Sequence, residues 1–204
     1  MLTTQEPYNQ FSEADEKALE NLCNKITKNG AIFCEIGCWL GHSTSIIAKR
    51  AKELNGRVIC IDTFKGSEGT FLTEYADNNN VHEKFKENMK NIGVLEIIDI
   101  FNMDSDSASQ FIKDNKLDFI FIDGDHIYRQ TKKDIDNYLP KMKSGSIISG
   151  HDYENGFDLD IKSFTEEDLD KDMSRGFHCG VVKAVNETFP AFNLSGDRIW
   201  WLYK

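Results

Sequence analysis

The chain alternates short apolar runs with segments in which apolar residues recur at helical spacing. The apolar runs are residues 31–36, 57–61, 95–101, 117–122 and 146–149, and the helical segments between them lie near residues 43–54, 81–92, 105–115 and 129–142. Apolar runs of this length predict buried strands. Strands that alternate with helices predict a parallel sheet with helices on both of its faces.

The last part of the chain has a different pattern. A helical segment at residues 181–189 ends at Pro190, and the strand-like residues 191–194 and 198–202 flank a short turn that contains glycine. Two short strands joined by such a turn predict an antiparallel hairpin.

Together these elements predict one α/β domain over residues 1–204. We expect a Rossmann-like, doubly wound, mostly parallel seven-stranded sheet with a C-terminal antiparallel hairpin. Residues 1–30 are expected to form an N-terminal helical cap with a helix start at Ser12, and residues 31–204 a catalytic α/β core.

Composition narrows the range of partners. The 24 Lys and Arg residues against 34 Asp and Glu residues give a net charge of −10, which repels a phosphate backbone, so we expect no nucleic-acid partner. No apolar run approaches the roughly 20 residues of a spanning helix, and the N-terminus lacks a signal-peptide pattern, so we expect no membrane segment. The five cysteines form no CxxC pair, which favours a reduced, cytoplasmic protein.

The turn after the first strand is rich in candidate binding residues. Gly37 and Gly41 lie where the chain leaves the strand and enters a helix, but bulky residues including Trp39 stand between them. This is not the glycine pattern that cradles a pyrophosphate. Glu35 suits a cationic amino group, and Asp62, at the end of the second strand, suits a ribose diol. These are two parts of S-adenosylmethionine.

Two aspartates follow neighbouring strands and predict a metal site. Asp123 ends the fourth strand and Asp152 follows the fifth, so both lie at one edge of the sheet. Carboxylates that converge there repel each other unless they share a cation, and oxygen ligands select Mg²⁺, Mn²⁺ or Ca²⁺. His126, three residues past Asp123, is either a general base for a hydroxyl or a surface or helix-capping histidine.

With these motifs the chain resembles class I S-adenosylmethionine-dependent methyltransferases, specifically the small bacterial group of macrocin- and mycinamicin-type O-methyltransferases. The resemblance rests on Glu35-Ile36-Gly37 and on residues 121–126. It implies that the turn backbone and Ser43 hold the methionine moiety, that Asp62 binds the ribose, and that Asp104 and Ser105 lie at the adenine.

The resemblance also implies a third metal ligand at the position of His151. The family usually has an acidic or amide residue there, and a histidine favours Mn²⁺, Fe²⁺ or Zn²⁺ over Mg²⁺. Mg²⁺ and Mn²⁺ are the metals we expect. His151 as an acid or base, with Asp125 as the ligand or as the residue that orients a histidine, stays open.

The expected function is metal-assisted methylation of a hydroxyl on a small molecule such as a sugar, a phenol or a natural-product intermediate. A metal-dependent hydrolase or phosphatase and a catalytically inert subunit of the same fold are the alternatives, and both a monomer and a homo-oligomer remain open. Residues 65–80 and 153–175 follow strand ends and are either substrate loops or solvated loops; the second has eight acidic and three basic residues.

Overall fold

The computed structural model describes residues 11–154 and 160–204. Residues 1–10 of the expected N-terminal cap and residues 155–159 of the acidic segment lie outside the described residues. The rest of the cap contains a helix that starts as expected, because the Ser12 side chain accepts a hydrogen bond from the backbone N–H of Asp15 at 3.1 Å.

The described strands form one seven-stranded sheet. They are β1 (Ile32–Ile36), β2 (Arg57–Asp62), β3 (Ile98–Asn102), β4 (Leu117–Ile122), β5 (Met142–Gly150), β6 (Asn193–Ser195) and β7 (Ile199–Tyr203). Their order is β3-β2-β1-β4-β5-β7-β6, and β7 is antiparallel to both β5 and β6. The predicted mostly parallel sheet with a terminal hairpin is confirmed, and the reversed strand β7 lies between β5 and β6.

Helices cover both faces of this sheet. They are α1 (Glu13–Asn24), α2 (His42–Glu53), α3 (Phe71–Asn78), α4 (Val81–Asn91), α5 (Ser105–Ser109), α6 (Tyr128–Tyr138), α7 (Glu166–Leu169) and α8 (Cys179–Thr188). No helix among the described residues has both the length and the apolar character needed to cross a membrane.

Two segments differ from the sequence prediction. Helix α5 ends at Ser109 instead of continuing to residue 115, and the N–H groups of residues 110–112 bond to carbonyls three residues earlier, as in tight turns. Further on, Asn115 takes a left-handed φ of 55° and donates its N–H to the carbonyl of Pro140. This turn leads the chain directly into β4. Residues 65–80 are not wholly irregular, since the Thr70 hydroxyl accepts a hydrogen bond from the backbone N–H of Leu72 and thereby caps α3.

The core consists of one apolar layer on each face of the sheet. Phe33 and Phe119 pack with α1, α2 and α4 on one face, and Ile120 and Ile148 pack with α6 and α8 on the other. Trp200 is fully buried on the second face. The central strands are therefore fixed from both sides, which holds their carboxyl ends in place.

Candidate active site

A cavity of about 1330 Å³ opens at the carboxyl ends of β1, β2 and β4. The strand order reverses between β1 and β4, and open α/β sheets bind ligands at such a reversal. Of the residues expected to bind the cofactor or act on the substrate, those that line the cavity are Gly37, Trp39, Ser43, Asp62, Asp104, Ser105, Asp123 and His126. The volume is sufficient for a cofactor together with a small second ligand.

Gly37 packs directly against the end of β4. Its φ is 84°, and a Cβ built there would lie 1.8 Å from the backbone oxygen of Asp123, so only glycine fits. Gly41 does not line the cavity. It has a φ of 90° at the start of α2, and a Cβ there would lie 2.4 Å from the Met89 side chain, so Gly41 permits close packing of α2 on α4.

The Asp62 carboxylate stabilises the glycine-containing turn through hydrogen bonds from its backbone N–H groups. It accepts hydrogen bonds from the backbone N–H groups of Cys38 and Trp39, both at 2.7 Å, and from that of Phe64 at 2.6 Å. Burial raises the pKa of Asp62. A carboxylate has about four acceptor positions, so these three donors leave room for one ligand hydroxyl and not for the two expected.

Glu35, which we expected to face a cationic amino group, lies behind the cavity wall. Glu35 is fully buried, does not line the cavity, and accepts hydrogen bonds from the hydroxyl groups of Ser43, at 2.5 Å, and Thr44. Burial raises the pKa of Glu35 to about 8. Glu35 therefore positions the first turn of α2, and Ser43 is the member of this group that reaches the cavity.

The third strand contributes a further wall of the cavity. Asp104 caps α5 by accepting the N–H of Ser107 at 2.7 Å, and the Ser105 hydroxyl donates to Asp134 at 2.6 Å. Asp134 also lines the cavity, and burial raises its pKa to about 7. The sequence interpretation missed Asp134 because it lies on the buried side of α6, where an acidic residue resembles an ordinary polar helix position.

The three expected metal ligands come together. The backbone N–H of Asp123 donates to the carbonyl of Ile36 at 2.8 Å, and the N–H of His151 donates to the carbonyl of Ile122 at 3.1 Å. These bonds extend the pairing of β4 with β1 and of β5 with β4 by one residue each. Asp152 takes a left-handed φ of 59°. Asp123, His151 and Asp152 each offer one ligand atom, and these three atoms lie within 4.8 Å of one another.

The orientation of His151 is set by helix α1. Its Nε2 atom lies 3.3 Å from Asp15, and its Nδ1 atom lies 3.7 Å from Asp123 and 3.3 Å from Asp152. The ring stacks on Phe11 at 4.4 Å. Burial opposes a charge on His151, but Asp152, Asp123 and Asp15 together raise its pKa to about 10. A carboxylate on the far nitrogen is the usual partner of a metal-binding histidine.

Sequence reasoning missed Asp15, although its position carried a signal. Asp15 is a fully buried acid on the face of α1 that otherwise presents Ala18, Leu19 and Leu22 to the core. An acid at core spacing needs a buried partner. In addition to His151, Asp15 accepts the backbone N–H groups of residues 197 and 198 at 2.8 and 3.0 Å, and it thereby joins α1 to the turn of the hairpin.

His126 lies between the cavity and the aspartates. Its Nε2 atom is 3.1 Å from Asp152 and 4.0 Å from Asp123 but is not aligned for a hydrogen bond, and its Nδ1 atom is 2.7 Å from Asp172. Burial disfavours the charged ring, but the charge of Asp152 and the other two carboxylates raise its pKa well above the usual range. Asp125 is exposed, lines the cavity and accepts the N–H of residue 127, and it is not one of the three grouped ligand residues.

The second oxygen of Asp152 has its own partners. Arg198 donates to it at 2.7 Å, and the Nδ1 atom of His178 lies 3.4 Å away. His178 is itself paired with Glu154 at 2.7 Å. Despite burial, the charges of His126 and His151 hold the pKa of Asp152 well below its usual range. No sequence pattern indicated a role for Arg198, which lies in the hairpin turn between β6 and β7.

The donor set fits a divalent metal. Two carboxylates and one imidazole nitrogen converge at a buried edge, and the nearby Nε2 atom of His126 has no hydrogen-bond partner among the described residues. Imidazole binds Mn²⁺, Fe²⁺ or Zn²⁺ more readily than Mg²⁺.

Comparisons with known proteins agree with the fold. Residues 34–153, more than half of the chain, match the family described as a methyltransferase domain. Uncharacterized protein R132 of Acanthamoeba polyphaga mimivirus is 28% identical over 143 residues, which are 67% of this chain and 58% of that protein. The chain thus covers less than two thirds of that relative's length.

Two solved structures have the same fold. Cofactor-bound Rv0187 from MTB is 17% identical with a TM-score of 0.66, covering 97% of this chain and 82% of the other. An O-methyltransferase from Bacillus cereus in complex with SAH is 18% identical with a TM-score of 0.64, covering 98% and 86%. The chain therefore belongs to the methyltransferase domain family.

Proposed function

We propose that the protein transfers a methyl group from S-adenosylmethionine to a hydroxyl of a small molecule, assisted by a divalent metal. The observation that carries the proposal is the convergence of Asp123, His151 and Asp152 within 4.8 Å at the edge of the cavity that the glycine-containing turn also lines. A dication held by these residues would neutralise their charge and lower the pKa of an acceptor hydroxyl.

Other cavity residues are proposed to bind the parts of S-adenosylmethionine. Trp39, Ser43 and Asp62 line the part of the cavity proposed for the methionine and ribose moieties, and Asp104 and Ser105 the part proposed for the adenine. That part of the site rests on the resemblance to the macrocin- and mycinamicin-type group. Closely placed donor and acceptor groups can supply much of the rate increase of a transfer reaction.

His126 is the proposed general base. It lines the cavity, and its Nε2 atom lies 3.1 Å from Asp152. A dication on Asp123 and Asp152 would offset the carboxylate charges that raise the pKa of His126, and Nε2 would then be free to accept a proton. In the proposed step the acceptor hydroxyl gives its proton to Nε2, its oxygen bonds to the methyl carbon, the carbon–sulfur bond breaks, and S-adenosylhomocysteine leaves. A positioned base of this kind contributes roughly 10²–10⁴-fold to the rate.

The test measures formation of S-adenosylhomocysteine from S-adenosylmethionine with catechol and with a set of deoxysugars. We expect turnover to stop with a chelator and to return with Mn²⁺ or Mg²⁺. Asp123→Asn and Asp152→Asn should abolish turnover, and His126→Ala should lower it by roughly 10²–10⁴ with the affinity for S-adenosylhomocysteine unchanged. Asp136→Asn is the matched control, since Asp136 is an exposed acid of α6 that pairs with Lys132 and does not line the cavity.

Three outcomes separate the alternatives. Full turnover in chelator would refute the metal role. A protein that binds S-adenosylhomocysteine without methylating any acceptor would be an inert subunit, whereas a hydrolase would not bind it; family membership disfavours the hydrolase.

We add three proposals, which concern domain organisation, localisation and the class of partner. Residues 1–204 form a single domain. The protein is cytoplasmic, as its five free, buried cysteines support. It acts on small molecules and not on nucleic acid.

A further inference from the structure

Residues 160–177, which include most of the described part of the acidic segment, fold into a defined structure beside His126. A capping box between Thr165 and Asp168 starts α7, and Arg175 donates to Asp168 at 2.6 Å. Leu169 and Phe177 are buried against α8. The segment is therefore anchored on both sides of residue 172 by contacts that do not involve His126.

Asp172 is the residue that this segment brings to the site. Its Oδ1 atom lies 2.7 Å from Nδ1 of His126, and the side chains of His126 and Asp172 are 12% and 31% exposed. The hydrogen bond from His126 lowers the pKa of Asp172. At this distance the Nδ1–H group of His126 is placed to donate to the Asp172 carboxylate, which accepts the hydrogen bond when it is ionised.

The remaining contacts of His126 agree with a fixed ring. The His178 ring lies edge-on at 4.5 Å, and His178 is held by Glu154. With Nδ1 hydrogen-bonded to Asp172, Nε2 is the nitrogen that faces the cavity, 3.1 Å from Asp152 and 4.0 Å from Asp123. A base is effective only when its accepting nitrogen is directed at the proton it removes.

We propose that Asp172 is a positioning residue that fixes the ring of His126 and directs Nε2 toward the acceptor hydroxyl. The catalytic consequence rests on the proposed function, whereas the orientation of the ring does not. The acidic segment thus completes the reaction site instead of serving only as a solvated loop.

The test compares Asp172→Ala, Asp172→Glu and the control Asp170→Asn, which changes an exposed acid of the same segment. The first readout is the Nδ1–H signal of His126 in long-range ¹H–¹⁵N spectra, assigned by its loss in His126→Ala. The second is turnover with catechol and Mn²⁺. Thermal unfolding should be nearly unchanged, because Asp168 and the buried side chains anchor the segment.

We expect Asp172→Ala to lose the protected Nδ1–H signal and about 10- to 100-fold in kcat, with the affinity for S-adenosylhomocysteine unchanged. Asp172→Glu should restore part of both, and Asp170→Asn should match the parent. An unchanged signal in Asp172→Ala, or a lost signal with unchanged kcat, would overturn the proposal. If the parent itself does not methylate catechol, the proposed function fails for this acceptor, and the spectrum still decides whether Asp172 orients His126.

Discussion

Replacing Asp15 by alanine removes a buried carboxylate that joins three parts of the fold. Asp15 accepts two backbone N–H groups of the hairpin turn and faces Nε2 of His151 at 3.3 Å. A donor left without a partner costs about 1 kcal/mol or more, and a charged group costs more. We expect Asp15→Ala to lower the free energy of unfolding by about 3–5 kcal/mol.

The aspartate-to-asparagine change separates the two contributions. In Asp15→Asn the amide oxygen can still accept from the turn, but the charge opposite His151 is lost, so we expect a loss of about 1–3 kcal/mol. Glu13→Ala, an exposed acid in the same first turn of α1, is the matched control and should cost less than about 1 kcal/mol.

Urea unfolding at pH 7 with a chelator measures these differences without a contribution from bound metal. For a chain of this size, the loss in Asp15→Ala corresponds to a decrease in Tm of roughly 10 °C. If Asp15→Ala and Glu13→Ala unfold at the same urea concentration, Asp15 does not connect α1 to the hairpin and the reasoning is wrong.

Three further predictions concern Gly37 in the glycine-containing turn and two acids close to it, Asp62 and Glu35. Gly37→Ala should abolish S-adenosylhomocysteine binding in a calorimetric titration. The control is Gly30→Ala, at a glycine with a φ of 69° and no atom within 4 Å of the added Cβ. It should cost only about 1–2 kcal/mol of stability and preserve binding. Asp62→Ala should weaken the same binding about tenfold or more, because the turn loses three hydrogen bonds; unchanged affinity would contradict its role. Burial raises the pKa of Glu35 to about 8, so folding takes up a proton between about pH 4.5 and 8, and the free energy of unfolding should fall as pH rises across that window. Glu35→Gln should flatten this pH dependence in unfolding curves. An equal pH dependence in the parent and in Glu35→Gln would contradict the prediction.

The sheet was predictable because strand periodicity is a local property. Each apolar run lies near its strand, and Asp123 and Asp152 follow two of them, so their meeting at one edge follows from parallel pairing. The direction of the Glu35 side chain could not be predicted, because a pattern of buried residues does not show which face of the sheet a side chain near a strand end takes. Here it faces α2.

The partners of the histidines could not be predicted in this way. Asp15 reaches His151 from 136 positions earlier in the chain, and Asp172 reaches His126 from 46 positions later. Both contacts depend on how α1 and the acidic segment fold back over the sheet edge. Periodicity describes single elements and carries no information on such tertiary contacts.

The close contact between Gly37 and the backbone of Asp123 has a consequence for attempts to change the acceptor of the proposed methyl transfer. Because the turn after β1 packs directly on the end of β4, these two segments form the floor of the cavity and should move together. A displacement of either strand end would shift the proposed methyl-donor site and the proposed metal ligands at the same time. Positioning errors near 1 Å can cost about 10² in rate. Acceptor preference should therefore be altered by exchanging wall residues such as Leu72 and Thr73. Substitutions in the floor would disturb the chemistry before they altered selectivity.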